Sequence, residues 1–348
     1  MKAAVIKAPG VIEVEEIQTP QPAEGEVLLQ VEACAICGTD QRVLKGTKPV
    51  DVPVVGHEIT GRVAAVGEGV TEIKEGERYI VQTVIGCNEC AACARSQQNL
   101  CEKGFKAMGY QYNGGVAEYI VMPRAAVDQG CLISIPEELT AEAGTIIEPL
   151  SCCVNGMKYI PLDKCKNVVI FGGGIIGVLN GLVAKAKGAE SVTIMDVSQD
   201  RLDLLASLGL PFDNYVNTAE IDAETWVSEK TGGFGVDAVV VAASVKPLAS
   251  LGVKLLAKGG HLSIFAGMPK PDPIEPIDLN LIHYGELNIH GANSSAINEY
   301  LEARDLVVSG KVDTKPLVTH RFSLDDFNKA VSTQADPSTG ALKVVIIP

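Results

Sequence analysis

Four cysteines, Cys87, Cys90, Cys93 and Cys101, fall within fifteen positions of the stretch GCNECAACARSQQNLC, spaced C-x2-C-x2-C-x7-C. Four thiolates satisfy Zn2+ as a closed tetrahedral site. The rival is an iron–sulfur cluster. Bacterial ferredoxin spacing, however, is C-x2-C-x2-C-x3-C-P, whereas here seven residues separate the last pair and Glu102 follows Cys101. Four cysteine ligands leave no position open to a substrate, so the expected role is a structural zinc that stabilises a loop.

A second motif, Gly172-Gly173-Gly174-Ile175-Ile176-Gly177, satisfies G-x-G-x-x-G. The hexamer alone is weak evidence. Here it follows the apolar run NVVIF, opens a segment with helical periodicity (Ile175, Leu179, Leu182, Ala186), and precedes SVTIMD, which ends in Asp196. That strand–turn–helix–strand context is what a dinucleotide fingerprint requires. Glycines let the backbone approach a pyrophosphate, and a helix N-terminus offers free N–H groups to it. Asp196 can accept hydrogen bonds from ribose hydroxyls and would repel a 2′-phosphate, so NAD is expected over NADP. Arg201, five residues further on, has two readings, a packing partner for adenine or a helix-surface arginine.

A third set is quieter. AICGTD carries Cys37, and VVGHEITG carries His57 and Glu58. A cysteine and a histidine from separate segments, with a third protein ligand and one exchangeable position, are what a catalytic zinc uses. Either residue alone is more often a core residue, but the chain has only five histidines, and this one sits beside a glutamate between glycines.

The elements that must position these groups divide the chain by texture. Its 348 residues suggest two domains at about 150 residues each. The first part is β-rich: GEVLLQVEA alternates, with Val27, Leu29, Val31 and Ala33 on one side, and turn signals recur at short intervals. After about residue 150, short apolar runs alternate with helical segments, which implies a doubly wound parallel sheet. From about 294 the texture is mixed again and ends in LKVVIIP. The formal net charge of −14 argues against nucleic acid or an anionic membrane surface as partner. NVVIFGGGIIGVLNGLVA is interrupted by glycine and asparagine and falls short of a membrane span. The N-terminus lacks a signal-peptide core. The expected compartment is the reducing cytoplasm, where ten cysteines mean metal ligands or buried thiols.

GHEITGRVAAVGEGV matches the zinc signature G-H-E-x-x-G-x5-G-x2-V of the medium-chain dehydrogenase/reductase family. CGTD, the four-cysteine lobe, GGVAEY, the glycine fingerprint and GALKVVI follow in that family's order, so the whole chain resembles it. The resemblance implies an α/β protein with a GroES-like, β-rich catalytic domain built from both chain ends (1–150, with a structural zinc lobe at 86–102, and 294–348) around a central Rossmann NAD-binding domain (151–293). It implies that Cys37 and His57 ligate a catalytic zinc, that Asp40 holds the other nitrogen of His57, that Glu58 lies beside the metal and ligates it directly in some states or through a water, and that Thr39 hydrogen-bonds the reacting alcohol. TIIEPLSCC, with Glu148, looks like the polyol branch typified by sorbitol dehydrogenase. Glu148 is then a ligand directly or through a water, with Cys152 or Cys153 as alternatives. One departure stands out. Relatives often carry a histidine five residues after the first zinc cysteine, and here that residue is Arg42, which cannot accept a proton. It is expected to meet an anionic substrate or the cofactor phosphates, or to sit exposed or salt-bridged.

The resemblance implies hydride transfer from a secondary alcohol or polyol, phosphorylated or not, to NAD+, with zinc as Lewis acid. A threonine-type or simple alcohol dehydrogenase is the nearest alternative, and a non-catalytic NAD-binding zinc protein the alternative of another class. The partner expected is a small-molecule alcohol, and the assembly a homodimer or homotetramer.

Overall fold

The computed structural model describes residues 1–269 and 271–348. Lys270, in the connection MPKPDPIEPIDLN, lies outside the described residues. The chain divides into one unit of Met1–Ser151 with Ser294–Pro348 and another of Cys152–Asn293. No helix among the described residues is long and apolar enough to cross a membrane.

The first unit is built on a seven-stranded sheet. Its order is Val318–Ser323, Lys343–Ile347, Val27–Ala35, Glu58–Val66, Arg78–Val81, Leu132–Ser134, and Tyr119–Met122 also pairs with Val27–Ala35. The strand Val27–Ala35 keeps the alternation read from sequence, with Gln30 exposed and Glu32 half-buried between buried Leu29, Val31 and Ala33. Leu28 and Cys34 are buried as well, because both faces of this strand are covered near its ends. Glu32 is held by Arg78 and Arg62, so the outward face carries an ion network.

The register fixes which residues meet at the far end of that strand. Ala35 lies opposite Glu58 on one side and Val345 on the other. Cys37 follows immediately and caps the helix Gly38–Leu44. The beginnings of two strands and the end of a third therefore converge on Cys37, His57, Glu58 and Lys343. Gly56 makes the sharp entry to His57. Its φ is +95°, and a Cβ there would press on the Val116 side chain and the Cys34 sulfur.

The second unit holds a six-stranded parallel sheet ordered Asn214–Asn217, Ser191–Asp196, Asn167–Phe171, Val236–Val241, Leu256–Ile264, Asn288–Gly291. In chain order this is 3-2-1-4-5-6, the doubly wound arrangement whose ligand crevice lies where the order reverses, beyond the first strand. Val168, Val169, Ile170 and Phe171 are all buried, as a strand covered on both faces requires. The helix Ile175–Ala186 follows directly after the glycine turn.

Gly177 is the tightest point of this turn, where a Cβ would collide with the Gly172 carbonyl oxygen. Gly177→Ala is expected to lower stability by about 3 kcal/mol, at the upper end of overpacking costs. Urea unfolding followed by circular dichroism will show this as a lower midpoint.

Candidate active site

Three donor atoms, from Cys37, His57 and Glu58, lie within 4.8 Å of one another. The helix Gly38–Leu44 orients the first. Cys37 is its N-cap, with Thr39 N–H donating to the sulfur (3.4 Å), while Asp40 Oδ2 accepts from the Cys37 N–H (2.9 Å) in a reciprocal cap. Asp40 is thereby fixed with its second oxygen, Oδ1, 3.3 Å from His57 Nδ1. The Tyr110 hydroxyl lies 3.3 Å from the same nitrogen, and the Thr83 hydroxyl donates to the His57 carbonyl (2.9 Å). Nδ1 is thus engaged by the protein, and Nε2 is left to face a metal. Burial opposes protonation of His57, but Asp40, by charge and hydrogen bond, together with Tyr110 and Cys37 holds the imidazole well above its ordinary range. Burial pushes the Tyr110 phenol up, so it stays neutral.

Glu58 is 1% exposed and is paired with Lys343, itself 2% exposed. Lys343 Nζ donates to Glu58 Oε1 (2.6 Å) and to the Ile36 carbonyl (3.3 Å). Burial opposes the ammonium charge, yet Glu58 keeps it raised. Glu148, in the first turn of the helix Ile147–Met157, is also buried. Burial lifts its carboxyl to about 7, with the charge of His57 acting against that rise and Glu58 adding to it. Glu148 therefore stands in the same electrostatic environment, although its carboxylate is not one of the three donors gathered within 4.8 Å. Three buried carboxylates and the Cys37 thiol face one buried ammonium. A divalent cation at Cys37, His57 and Glu58 would offset that surplus of negative charge, so the donor set fits zinc.

Thr39, half-buried on the same helix, accepts a hydrogen bond from the Arg42 guanidinium (2.9 Å). Arg42 is exposed at this point. Cys153 is buried and donates to the Ile176 carbonyl (3.7 Å), and neither it nor Cys152 joins the donor group.

The four sulfurs of Cys87, Cys90, Cys93 and Cys101 also lie within 4.8 Å of one another. The Cys87 and Cys93 sulfurs are 4.0 Å apart, close to the ~3.8 Å edge of a tetrahedron with 2.3 Å bonds. Backbone N–H groups, that of Cys93 first, hold the Cys90 thiol down at about 6, while burial pushes Cys93 up to about 12. All ten cysteines are unbridged. The lobe has the closed four-sulfur geometry of a structural zinc.

The glycine turn fits a dinucleotide. Gly172 adopts φ +108°. Gly174 caps the helix Ile175–Ala186 without any side-chain hydrogen bond, and nothing lies within 4 Å of where its Cβ would be. The first N–H groups of the helix therefore face open space suited to a pyrophosphate. Asp196 is set by N–H groups of Gly173 (2.6 Å) and Ser198 (2.9 Å). The Arg201 side chain runs along Gly173, which places it beside the turn.

A Rossmann-type sheet with an open glycine turn, in one chain with an open and a closed donor set, defines a zinc- and nicotinamide-dependent oxidoreductase. Residues 23–134 match the alcohol dehydrogenase GroES-like domain, and residues 176–309 match the zinc-binding dehydrogenase domain. A sorbitol dehydrogenase of Halalkalibacterium halodurans is 31% identical over 96% of this chain and 95% of its own. An L-threonine 3-dehydrogenase of Pyrococcus furiosus is 32% identical over 96% and 94%. A zinc-binding dehydrogenase of Sinorhizobium meliloti 1021, solved with NADP, superposes with a TM-score of 0.90 at 30% identity, covering 100% of this chain and 99% of that one. The chain belongs to the zinc-containing medium-chain dehydrogenase/reductase family and resembles its sorbitol dehydrogenase branch.

Sequence reasoning missed Lys343 and the contacts of Tyr110. One signal for Lys343 was present: a lone charge opening the apolar run KVVII. Lys343→Met would leave Glu58 buried without its cation, and a loss of about 3 kcal/mol is expected, at the low end for breaking a buried pair. Urea unfolding measures it, and the double variant K343M/E58Q should recover part of the loss. Cys93→Ser is expected to lower the zinc content by one ion per chain, read by elemental analysis of the purified protein.

Proposed function

We propose that this protein is an NAD-dependent zinc dehydrogenase of secondary alcohols or polyols, with the metal at Cys37, His57 and Glu58. The observation that carries the reading is the convergence of those three donors within 4.8 Å, in a chain whose Asp196 closes an open glycine turn. Zinc held by these residues would supply Lewis acidity to a hydroxyl, and a bound nicotinamide would supply the hydride acceptor.

The chain's own residues do the rest. Asp40 orients His57 and fixes its tautomer. Lys343 holds the Glu58 carboxylate at the edge of the donor set, and Glu148 adds negative charge from the helix Ile147–Met157. The Thr39 hydroxyl already accepts from Arg42, so its own proton is directed outward, where it can hydrogen-bond the alcohol oxygen. Arg42 cannot take the proton, so the Thr39 hydroxyl is the group of this chain that would pass it outward. The Asp196 carboxylate favours ribose hydroxyls over a 2′-phosphate.

The test is a panel of polyols and simple secondary alcohols with NAD and NADP. NADH formation from a polyol, lost on treatment with a zinc chelator and restored by zinc, is the expected result. Zinc-independent oxidation would overturn the reading. Asp196→Ala is expected to raise KM for NAD about tenfold, equivalent to ~1.4 kcal/mol of lost binding, and unchanged KM would remove Asp196 from the cofactor site. L-threonine belongs in the panel because a threonine dehydrogenase is as similar to this chain as the sorbitol enzyme.

A further inference from the structure

The segment that follows the Cys37 helix carries two cations, and both are tied to the reacting groups. Arg42 donates to the Thr39 hydroxyl (2.9 Å). Lys48 Nζ stands 4.2 Å above the Tyr110 ring, whose hydroxyl reaches His57 and whose ring lies 5.3 Å from the imidazole. The chain doubles back to bring the two together. The Arg42 carbonyl accepts from the Thr47 N–H (2.9 Å), the Lys48 N–H (3.2 Å) and the Thr47 hydroxyl (2.9 Å). This closes the end of the helix and returns Lys48 alongside Arg42.

No carboxylate among the described residues forms an ion pair with either cation, while at least twelve other lysines and arginines are so paired. The nearest acid on their own helix, Asp40, is committed to His57 and the Cys37 N–H. Lys48 is half-buried, and burial followed by the charge of Arg42 lowers its ammonium from the ordinary range. An ammonium held against another cation and partly removed from water is a standing cost unless an anion joins it. The whole chain, at net −14, offers anions no general attraction.

Resting on the dehydrogenase reading, we propose that Arg42 and Lys48 form the recognition site for a phosphate monoester on the alcohol substrate, making this enzyme selective for a phosphorylated polyol over the free one. Two uncompensated cations match a dianion better than a single carboxylate. The guanidinium retains N–H donors beyond the one given to Thr39, and these suit phosphate oxygens. A neutral sugar alcohol has nothing to neutralise the pair. The ammonium of an amino alcohol would be repelled by it.

Calorimetric titration of sorbitol and of sorbitol 6-phosphate, with NADH present to block turnover, tests this without catalysis. The expected result is at least tenfold tighter binding of the phosphate ester, with inorganic phosphate competing for it. R42Q/K48Q should reduce that ratio at least tenfold, whereas Arg42→Lys should keep most of it. K48Q alone carries the test if Arg42→Gln fails to fold. Equal affinity for the two ligands, or no binding of the ester, overturns the inference. So does a tenfold loss of NADH affinity in R42Q/K48Q with the ratio intact, which would assign the cations to the cofactor phosphates. NADH formation from neutral polyols in the face of such a result would leave the dehydrogenase reading standing. Failure to oxidise any alcohol would instead remove that reading.

Discussion

Charge buried in the first unit is the constraint on which the rest turns. Glu58, Asp40, Glu148, His57 and Lys343 are all nearly inaccessible to water. An isolated ion in such a place costs several kcal/mol, so each must find a partner of opposite sign or a hydrogen-bond donor. The fold answers by register. Strand Val27–Ala35 has Glu58 opposite its last residue on one side and the strand of Lys343 on the other. The same end of the sheet delivers Cys37 as the cap of a short helix whose Asp40 reaches His57. Charge pairing and metal-ligand geometry are thus satisfied by one arrangement of three strand ends. The pair adds little net stability by itself; its effect is to make any other register prohibitively unfavourable.

The cofactor side is governed by a different requirement, the exclusion of side chains. At Gly177 the helix must approach the preceding strand too closely for a Cβ, and at Gly174 space must stay open at the helix N-terminus. The two donor sets divide in a similar way. The cysteine lobe is closed by four sulfurs, so it fixes a loop. The Cys37 set gathers three donors among the described residues, which leaves a fourth position open.

Much of this was legible in the chain itself. The Gly172–Gly177 turn, Asp196 and the four-cysteine lobe are local motifs, and their spacing carries their geometry. His57 and Glu58 could be read because glycines frame them. Lys343 could not, since its role depends on a partner 285 residues away and on a strand register that no local pattern encodes. The contact of Tyr110 with His57 escaped for the same reason: nothing near Tyr110 in sequence points to His57. Arg42 was visible as a departure from relatives, but its hydrogen bond to Thr39 depends on the helical turn between them, and its pairing with Lys48 on how the chain doubles back. Glu148 was read as a zinc ligand, directly or through a water; it is not among the three donors gathered within 4.8 Å, and burial, more than any one neighbour, raises its carboxyl.

The position of Lys343 has a consequence for how the molecule is made. The second unit is a continuous segment, Cys152–Asn293, whose parallel sheet needs nothing synthesised later. The first unit is discontinuous, and its central strand Val27–Ala35 gains the neighbour Lys343–Ile347 only after residues 343–347 have left the ribosome. Until then Glu58 has no ammonium to meet and the Cys34–Ala35 end of the central strand lacks its partner on that flank, an exposed edge of the kind that invites misassembly. The catalytic half therefore begins first and finishes last, with the cofactor half able to fold in between. A ribosome pause before Lys343 emerges would hold the chain in the state where its strand edge is open and its acidic cluster unbalanced.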